Sequence, residues 1–154
     1  MMTLSNEYYS RIVIFEGFRN TAYKCPSGIW TIGYGTTKGV KPGDKVSVSQ
    51  AYAMMREDSE EIAKLINGMG VKLQQCQFDA VALFCYNLGF YKFKASTLCR
   101  MIRRDANDKR IFREWQRWVY ASGKKLNGLI QRRRNEVELY FRHSGYSTDE
   151  LQSV

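Results

Sequence analysis

The sequence predicts an α+β fold, mostly α, in which one helix leads into a small β hairpin region and then into a helical bundle. Three observations carry this. Apolar residues recur at helical spacing from Leu4 to Phe18. Between Thr21 and Gly43 lie both prolines, repeated glycines and the β-favouring residues Ile29, Trp30, Thr31, Ile32 and Tyr34. After Ser47 the helical pattern returns, and its stretch Ala80–Cys85 is apolar on nearly all sides, the mark of a helix surrounded by others. A chain of 154 residues, 44% hydrophobic, is enough for one domain with its own core.

In the first helix the stripe is Leu4, Tyr8, Tyr9, Ile12 and Val13, with Ser5 and Asn6 as N-cap residues. The second helix starts at Ser47 or Ser49; Gln50 stands three residues after Ser47, the spacing of a capping box, and Asn67-Gly68 is the stop. A third runs from about Leu73 to Leu88 and ends at Gly89, and further helices are expected at about 96–104, 108–121 and 127–142. The tail from Ser144 to Val154 is polar and reads as loosely ordered. The whole chain, 1–154, is expected to be one domain with a β-containing lobe at about 12–66, a helical lobe at about 71–143 and the first helix packed between them.

Composition narrows the function. No apolar run approaches the roughly 18 residues of a membrane span, and the amino terminus lacks a basic region followed by an apolar one, so a soluble chain without a standard export signal is expected. Cys25, Cys76, Cys85 and Cys99 show no CxxC spacing and His143 is the single histidine, so no metal site is expected and reduced thiols are the default. Cys76 and Cys85 stand roughly 13 Å apart along one helix, too far to bridge, and read as core residues. A net charge of +9 favours a polyanionic partner: nucleic acid, anionic lipid or cell wall. For each basic residue the competing reading is a solvated surface.

Glu16 lies three and four residues beyond Val13 and Ile12 and so continues the apolar side of the first helix. One reading is a structural ion pair at a seam; the other is a partly desolvated carboxylic acid that still holds a proton near neutral pH. In Ile29–Gly35, strand alternation places Ile29, Thr31, Gly33 and Gly35 on one face and Trp30, Ile32 and Tyr34 on the other. The nearly bare face is one that a sugar chain or a water approaches closely, although glycine in a strand also marks a bend and a strand threonine is ordinary.

Glu16, eight residues, Cys25, five residues and Thr31 match the Glu-x8-Asp/Cys-x5-Thr triad of the phage-type lysozymes, glycoside hydrolase family 24. The stretch FEGFRNTAYKCPSGIWTIGYGTT resembles the amino-terminal signature of that family. The segments from Gln77 to Gly89, from Ser96 to Leu98 and from Gly128 to Arg133, with Glu136, are similar to its helical lobe. The resemblance spans about Ile12 to Tyr140. It implies a lysozyme-like, two-lobed domain that hydrolyses the β-1,4 bond between N-acetylmuramic acid and N-acetylglucosamine in peptidoglycan, without a cofactor, and so lyses bacterial cells.

On the family pattern Glu16 protonates the glycosidic oxygen and Thr31 holds or orients a water. The family is usually placed among inverting glycosidases, whose two catalytic groups stand roughly 6.5–9.5 Å apart. Cys25 takes the place of the aspartate of many members, and base, nucleophile and water-positioner are all open to it, since a free thiol is mostly protonated at pH 7 unless a neighbour such as Lys24 stabilises the thiolate. Of Arg132, Arg133 and Arg134, the resemblance implies that Arg132 or Arg133 pairs with Glu16; a solvated face and a phosphate-binding patch are the other readings. Thr37, Tyr86 and Thr97 match sugar-lining positions, though such residues in helices more often pack.

Two rivals remain at this level. One is a wall-binding module that has lost turnover, against which stand Glu16 and Thr31; the other is a nucleic-acid binder using Trp115, Trp118 and the nearby arginines. The resemblance favours peptidoglycan as partner, with no specific nucleic acid, a monomer, synthesis in the host cytoplasm, and action on the wall after release through a separate pore-forming protein.

Overall fold

The computed structural model describes residues 1–154 and begins with α1, Asn6–Glu16, capped by Ser5, whose side chain accepts the Tyr8 amide. Tyr8, Tyr9 and Ile12 are its buried side, and Gly17, at φ 64°, ends it by donating to the Val13 carbonyl. The stop falls one residue after Glu16, so the carboxylate projects from the last turn, next to the start of the hairpin.

β1 (Arg19–Lys24) and β2 (Trp30–Gly33) pair antiparallel, Tyr23 opposite Thr31 and Lys24 opposite Trp30, with a break in register between Arg19 and Tyr23. Residues 44–46 lie along the outer edge of β1, where the Ala22 amide donates to Asp44 and the Val46 amide to Asn20. The alternation expected through Gly35 stops at Gly33. Gly33 and Gly35 have φ of 64° and 81°, a conformation that side chains resist, and the chain folds back so that Ile32 and Thr36 exchange backbone hydrogen bonds. Thr31 and Ile32, neighbours on opposite faces, are both buried.

α2 (Val48–Asn67) opens on the expected capping box of Ser47 and Gln50 and reaches Gly68. It packs on β2 on one side and on α3 (Gln75–Leu88) on the other, joining hairpin to bundle. Every residue of α3 from Cys76 to Cys85 is buried, because α1, α2, α4 (Phe90–Lys94) and α7 (Asn127–Phe141) all lie against it. The polar members of that run have partners: Asp79 accepts from Ser5 and Gln75, and Gln77 donates to the Ala106 carbonyl. Cys76, Cys85 and Cys99 are buried as free thiols.

α5 (Thr97–Arg104) follows the Ser96 cap as expected. Two expectations fail beyond it, and one short helix before it was not foreseen. The helix expected over 108–121 is only α6, Ile111–Trp115, because the chain turns at Ser122 and Gly123, both at positive φ, and pairs β3 (Tyr120–Ala121) with β4 (Lys124–Lys125). α4 was not anticipated. The tail is ordered into α8, Thr148–Gln152, which buries Leu151 and packs on α6.

Trp115 is fully buried and so not available to stack on bases, and the half-buried Trp118 packs at a steep angle against Phe84, 5.6 Å between centroids. No helix is long and apolar enough to cross a membrane.

Candidate active site

Glu16 meets the bundle through one oxygen. Arg132, from α7, donates from Nη1 to Glu16 Oε2 at 3.1 Å, and the Glu16 side chain keeps 17% of its exposure. Arg132 is held on its other sides as well: Nη2 donates to the Leu83 carbonyl at 3.0 Å, Nε to Glu136 Oε2 at 3.1 Å, and the Phe15 ring lies 4.6 Å from the guanidinium carbon. Of the two arginines that the sequence left open, Arg132 is the partner of Glu16. Arg133 turns away, with Nη2 on Glu136 Oε2 at 3.1 Å and on Asn87 Oδ1 at 2.7 Å. Its Nε stands 2.9 Å from Glu136 Oε1 at an angle too oblique for a hydrogen bond, so that contact is ionic. Both arginines are buried, which removes the solvated-face and phosphate-patch readings for them; Arg134, paired with Glu138, stays at the surface.

The other carboxylate oxygen faces the hairpin. A Cβ on Gly35 would stand 2.6 Å from Glu16 Oε1, so glycine is what lets the turn close over the acid. A Cβ on Gly33 would stand 2.8 Å from the Ala51 side chain. The close approaches that the bare strand face suggested are therefore taken by Glu16 and α2. The turn is pinned by Tyr86, whose hydroxyl donates to the Tyr34 carbonyl at 2.6 Å, and burial pushes that phenol up.

Cys25 and Thr31 meet at the far end of the hairpin. The Ile29 carbonyl accepts both the Cys25 amide and the Thr31 hydroxyl, each at 2.9 Å. Cys25 Sγ lies 3.0 Å from Ser27 Oγ. The Ser27 hydroxyl, then the Ile29 and Ser27 amides and the Thr31 hydroxyl, hold the thiol below its usual range against a smaller opposing effect of burial. Lys24, which the sequence offered as the neighbour that would favour a thiolate, lies instead over the Trp30 ring, its Nζ 5.6 Å from the centroid.

Of the three sugar-lining positions, Thr37 is exposed beside this turn, Tyr86 is spent on Tyr34, and Thr97 is exposed on α5, where it accepts from Arg100. Sequence reasoning missed four participants. Glu136 and Trp115 secure the arginines, and the signal for Glu136 was its spacing of four and three residues from Arg132 and Arg133 on one helix. Thr36 is buried with its hydroxyl facing Asp58 and Tyr86 without closing a hydrogen bond to either, and burial pushes the Asp58 carboxyl up. Nothing in the local pattern marks that pair. A separate cavity of about 620 Å³ beside Met1, Leu73, Phe78 and His143 is lined by no carboxylate.

The phage lysozyme family model matches residues 13–136. An endolysin of Acyrthosiphon pisum secondary endosymbiont phage 1 is 35% identical over 144 residues, 90% of this chain and 98% of that protein. Among solved structures, the muramidase domain of SpmX from Asticaccaulis excentricus superposes with a TM-score of 0.80 at 31% identity, covering 91% of this chain and 98% of that one. The endolysin from Escherichia coli O157:H7 phage FAHEc1 gives 0.77 at 35% identity, covering 96% and 98%. The chain belongs to the phage lysozyme family of peptidoglycan hydrolases.

Proposed function

We propose that this lysozyme cleaves the β-1,4 bond between N-acetylmuramic acid and N-acetylglucosamine with Glu16 as general acid and Cys25 as base, in a cleft between a lobe at about 12–66 and a helical lobe at about 71–143. The observation that carries the reading is the asymmetry of Glu16: Arg132 grips Oε2, while Oε1 lies free against Gly35 at a site open to solvent. A proton on Oε1 passes to the glycosidic oxygen as the bond from C1 breaks. A water oxygen bonds to C1 from the opposite face and gives its proton to the Cys25 thiolate. The Thr31 hydroxyl, donating to Ile29, keeps its lone pairs for that water. Solvent then returns the proton from Cys25 to Glu16.

Thr37 and Thr97, both exposed, are assigned to the sugar chain, and Tyr86 to holding the turn. The protein acts as a monomer, is made in the host cytoplasm and reaches the wall through a pore formed by another protein. Its +9 charge draws it to the acidic wall.

The test is Glu16→Gln on purified peptidoglycan: release of reducing sugar stops while the circular dichroism spectrum is retained, because the amide keeps the shape and cannot give the proton. Substantial turnover by that variant refutes the assignment. Cys25→Asp keeps activity and Cys25→Ala loses about 10²–10⁴-fold, the range of general base catalysis; near-normal turnover by Cys25→Ala removes the base and leaves Glu16 and Thr31.

A further inference from the structure

Glu136 is fully buried, and every partner it has is a donor: Arg132 Nε at 3.1 Å, Arg133 Nη2 at 3.1 Å and the Trp115 indole Nε1 at 3.0 Å, with Arg133 Nε 2.9 Å away. Two guanidiniums and three nitrogen-donated hydrogen bonds on two oxygens are the surroundings of an ionised carboxylate, since a protonated one would waste an acceptor and need one in return. The assembly reads Glu16, Arg132, Glu136, Arg133, with Arg132 touching both acids. Without Glu136, Arg132 would face Glu16 with Arg133 uncompensated behind it, and a general acid beside such guanidiniums gives up its proton too early.

We infer that Glu136 is a positioning and charge-balancing residue of the active site: its buried negative charge offsets one of the two charges carried by Arg132 and Arg133, which helps Glu16 hold its catalytic proton while Arg132 still orients it. This rests on Glu16 being the acid. Ionic charge near Glu16 comes from α7 through Arg132, Arg133 and Glu136. From α3 come the Tyr86 phenol and, against Glu136, the Cys85 thiol, both pushed up by burial and so neutral. α1 adds the Tyr8 phenol, neutral for the same reason; Asp58 of α2 acts on Tyr86; and from the hairpin the group in contact is the uncharged Gly35. Burial pushes the Arg133 guanidinium down from its usual value, yet it stays charged.

The sign of each change follows. Glu136→Gln removes a negative charge, which favours loss of the Glu16 proton, so the limb of kcat/KM that Glu16 sets moves down by about one pH unit. Arg133→Met removes a positive charge and moves the limb up by a similar amount. The double variant restores the parent's net charge around Glu16 and brings the limb back to that of the parent, which a purely structural role would not do. The experiment is kcat/KM on purified peptidoglycan across pH for the three variants, with Glu16→Gln alongside. Opposite displacements that cancel in the double variant establish the inference. Limbs that coincide with the parent, whatever the loss of rate or stability, overturn it. Where Glu136→Gln does not fold, Arg133→Met decides: an unmoved limb overturns the inference, a raised one supports it. Activity in Glu16→Gln would instead remove the acid assignment, and inactive Glu16→Gln with unmoved limbs in the others removes only this inference.

Discussion

The two walls that meet at Glu16 are held by different means. On the α7 side nearly everything is side chain: Arg132 is fixed by Glu136, Glu16 and the Leu83 carbonyl, and Glu136 in turn by Arg133 and Trp115. On the hairpin side nearly everything is backbone: the paired amides of Ile32 and Thr36, the Ile29 carbonyl that gathers Cys25 and Thr31, and two glycines at positive φ. The first wall fixes charge and direction; the second fixes space. A charge network tolerates no loss of a member but is indifferent to a methyl group, whereas a backbone turn tolerates polar substitutions around it but not an added atom where it closes.

Removing a member of the charge network gives the larger effect. Arg132→Met strips Glu16 of its partner and leaves Glu136 with Arg133 and Trp115, so the acid swings free. Loss of its fixed direction lowers kcat/KM by about 10²-fold. The same change costs about 3 kcal/mol of stability, the lower end for breaking a buried ion pair, read from urea unfolding. Arg132→Lys does not rescue it, because a single ammonium does not reach Glu16, Leu83 and Glu136 together. Unchanged kinetics in Arg132→Met would mean that the hairpin alone orients the acid.

Adding one carbon to the other wall tests space. Gly35→Ala forces a side chain into φ 81° and a Cβ within 2.6 Å of Glu16 Oε1, which the grip of Arg132 prevents from moving freely. The strain costs about 1–3 kcal/mol, and displacement of Oε1 lowers kcat by about tenfold, equivalent to about 1.4 kcal/mol on the barrier. Gly33→Ala is the control: it strains the same turn at φ 64° but meets Ala51, not the acid, so thermal stability falls while kcat of the folded fraction is retained. Equal losses of kcat in the two variants would show that the turn, not the space at Glu16, is what matters.

The contrast also explains what was legible in the sequence. Rules that act within a few residues could be read off: the Ser47–Gln50 box, the stops at Gly68 and Gly89, and the apolar side of α1 that carries Glu16. The hairpin broke its alternation because Gly33 and Gly35 turn the chain, and a pattern of letters does not give φ. The helix expected through Ala121 was cut short by pairing with Lys124 and Lys125, and the tail was ordered by a single apolar residue, Leu151, meeting α6. In the site, Arg132 and Arg133 are adjacent and both buried, so only the packed position of Leu83, Asn87 and Glu136 assigns one to Glu16 and the other to Asn87. Thr36 and Asp58 come together across the hairpin and α2, a contact with no sequence signature.

The smallest expected effect lies at the open end of the backbone wall, where Cys25 is held by a hydroxyl. The largest influence lowering its thiol is Ser27, 3.0 Å away in an exposed loop, with the Ile29 and Ser27 amides and Thr31 adding to it. Ser27→Ala removes that hydroxyl and leaves the Ile29 carbonyl knot in place, so the thermal midpoint stays as it was. The thiol rises toward its ordinary value. A base that must be deprotonated then reaches its active form only at higher pH, so the acid limb of kcat/KM moves up and neutral-pH activity falls. In a Cys25→Asp background the same substitution leaves the limb where it is, because a carboxylate is ionised near neutral pH without the serine. An acid limb that Ser27→Ala does not move would separate the thiol from the base step, and the backbone wall would then position water through Thr31 alone.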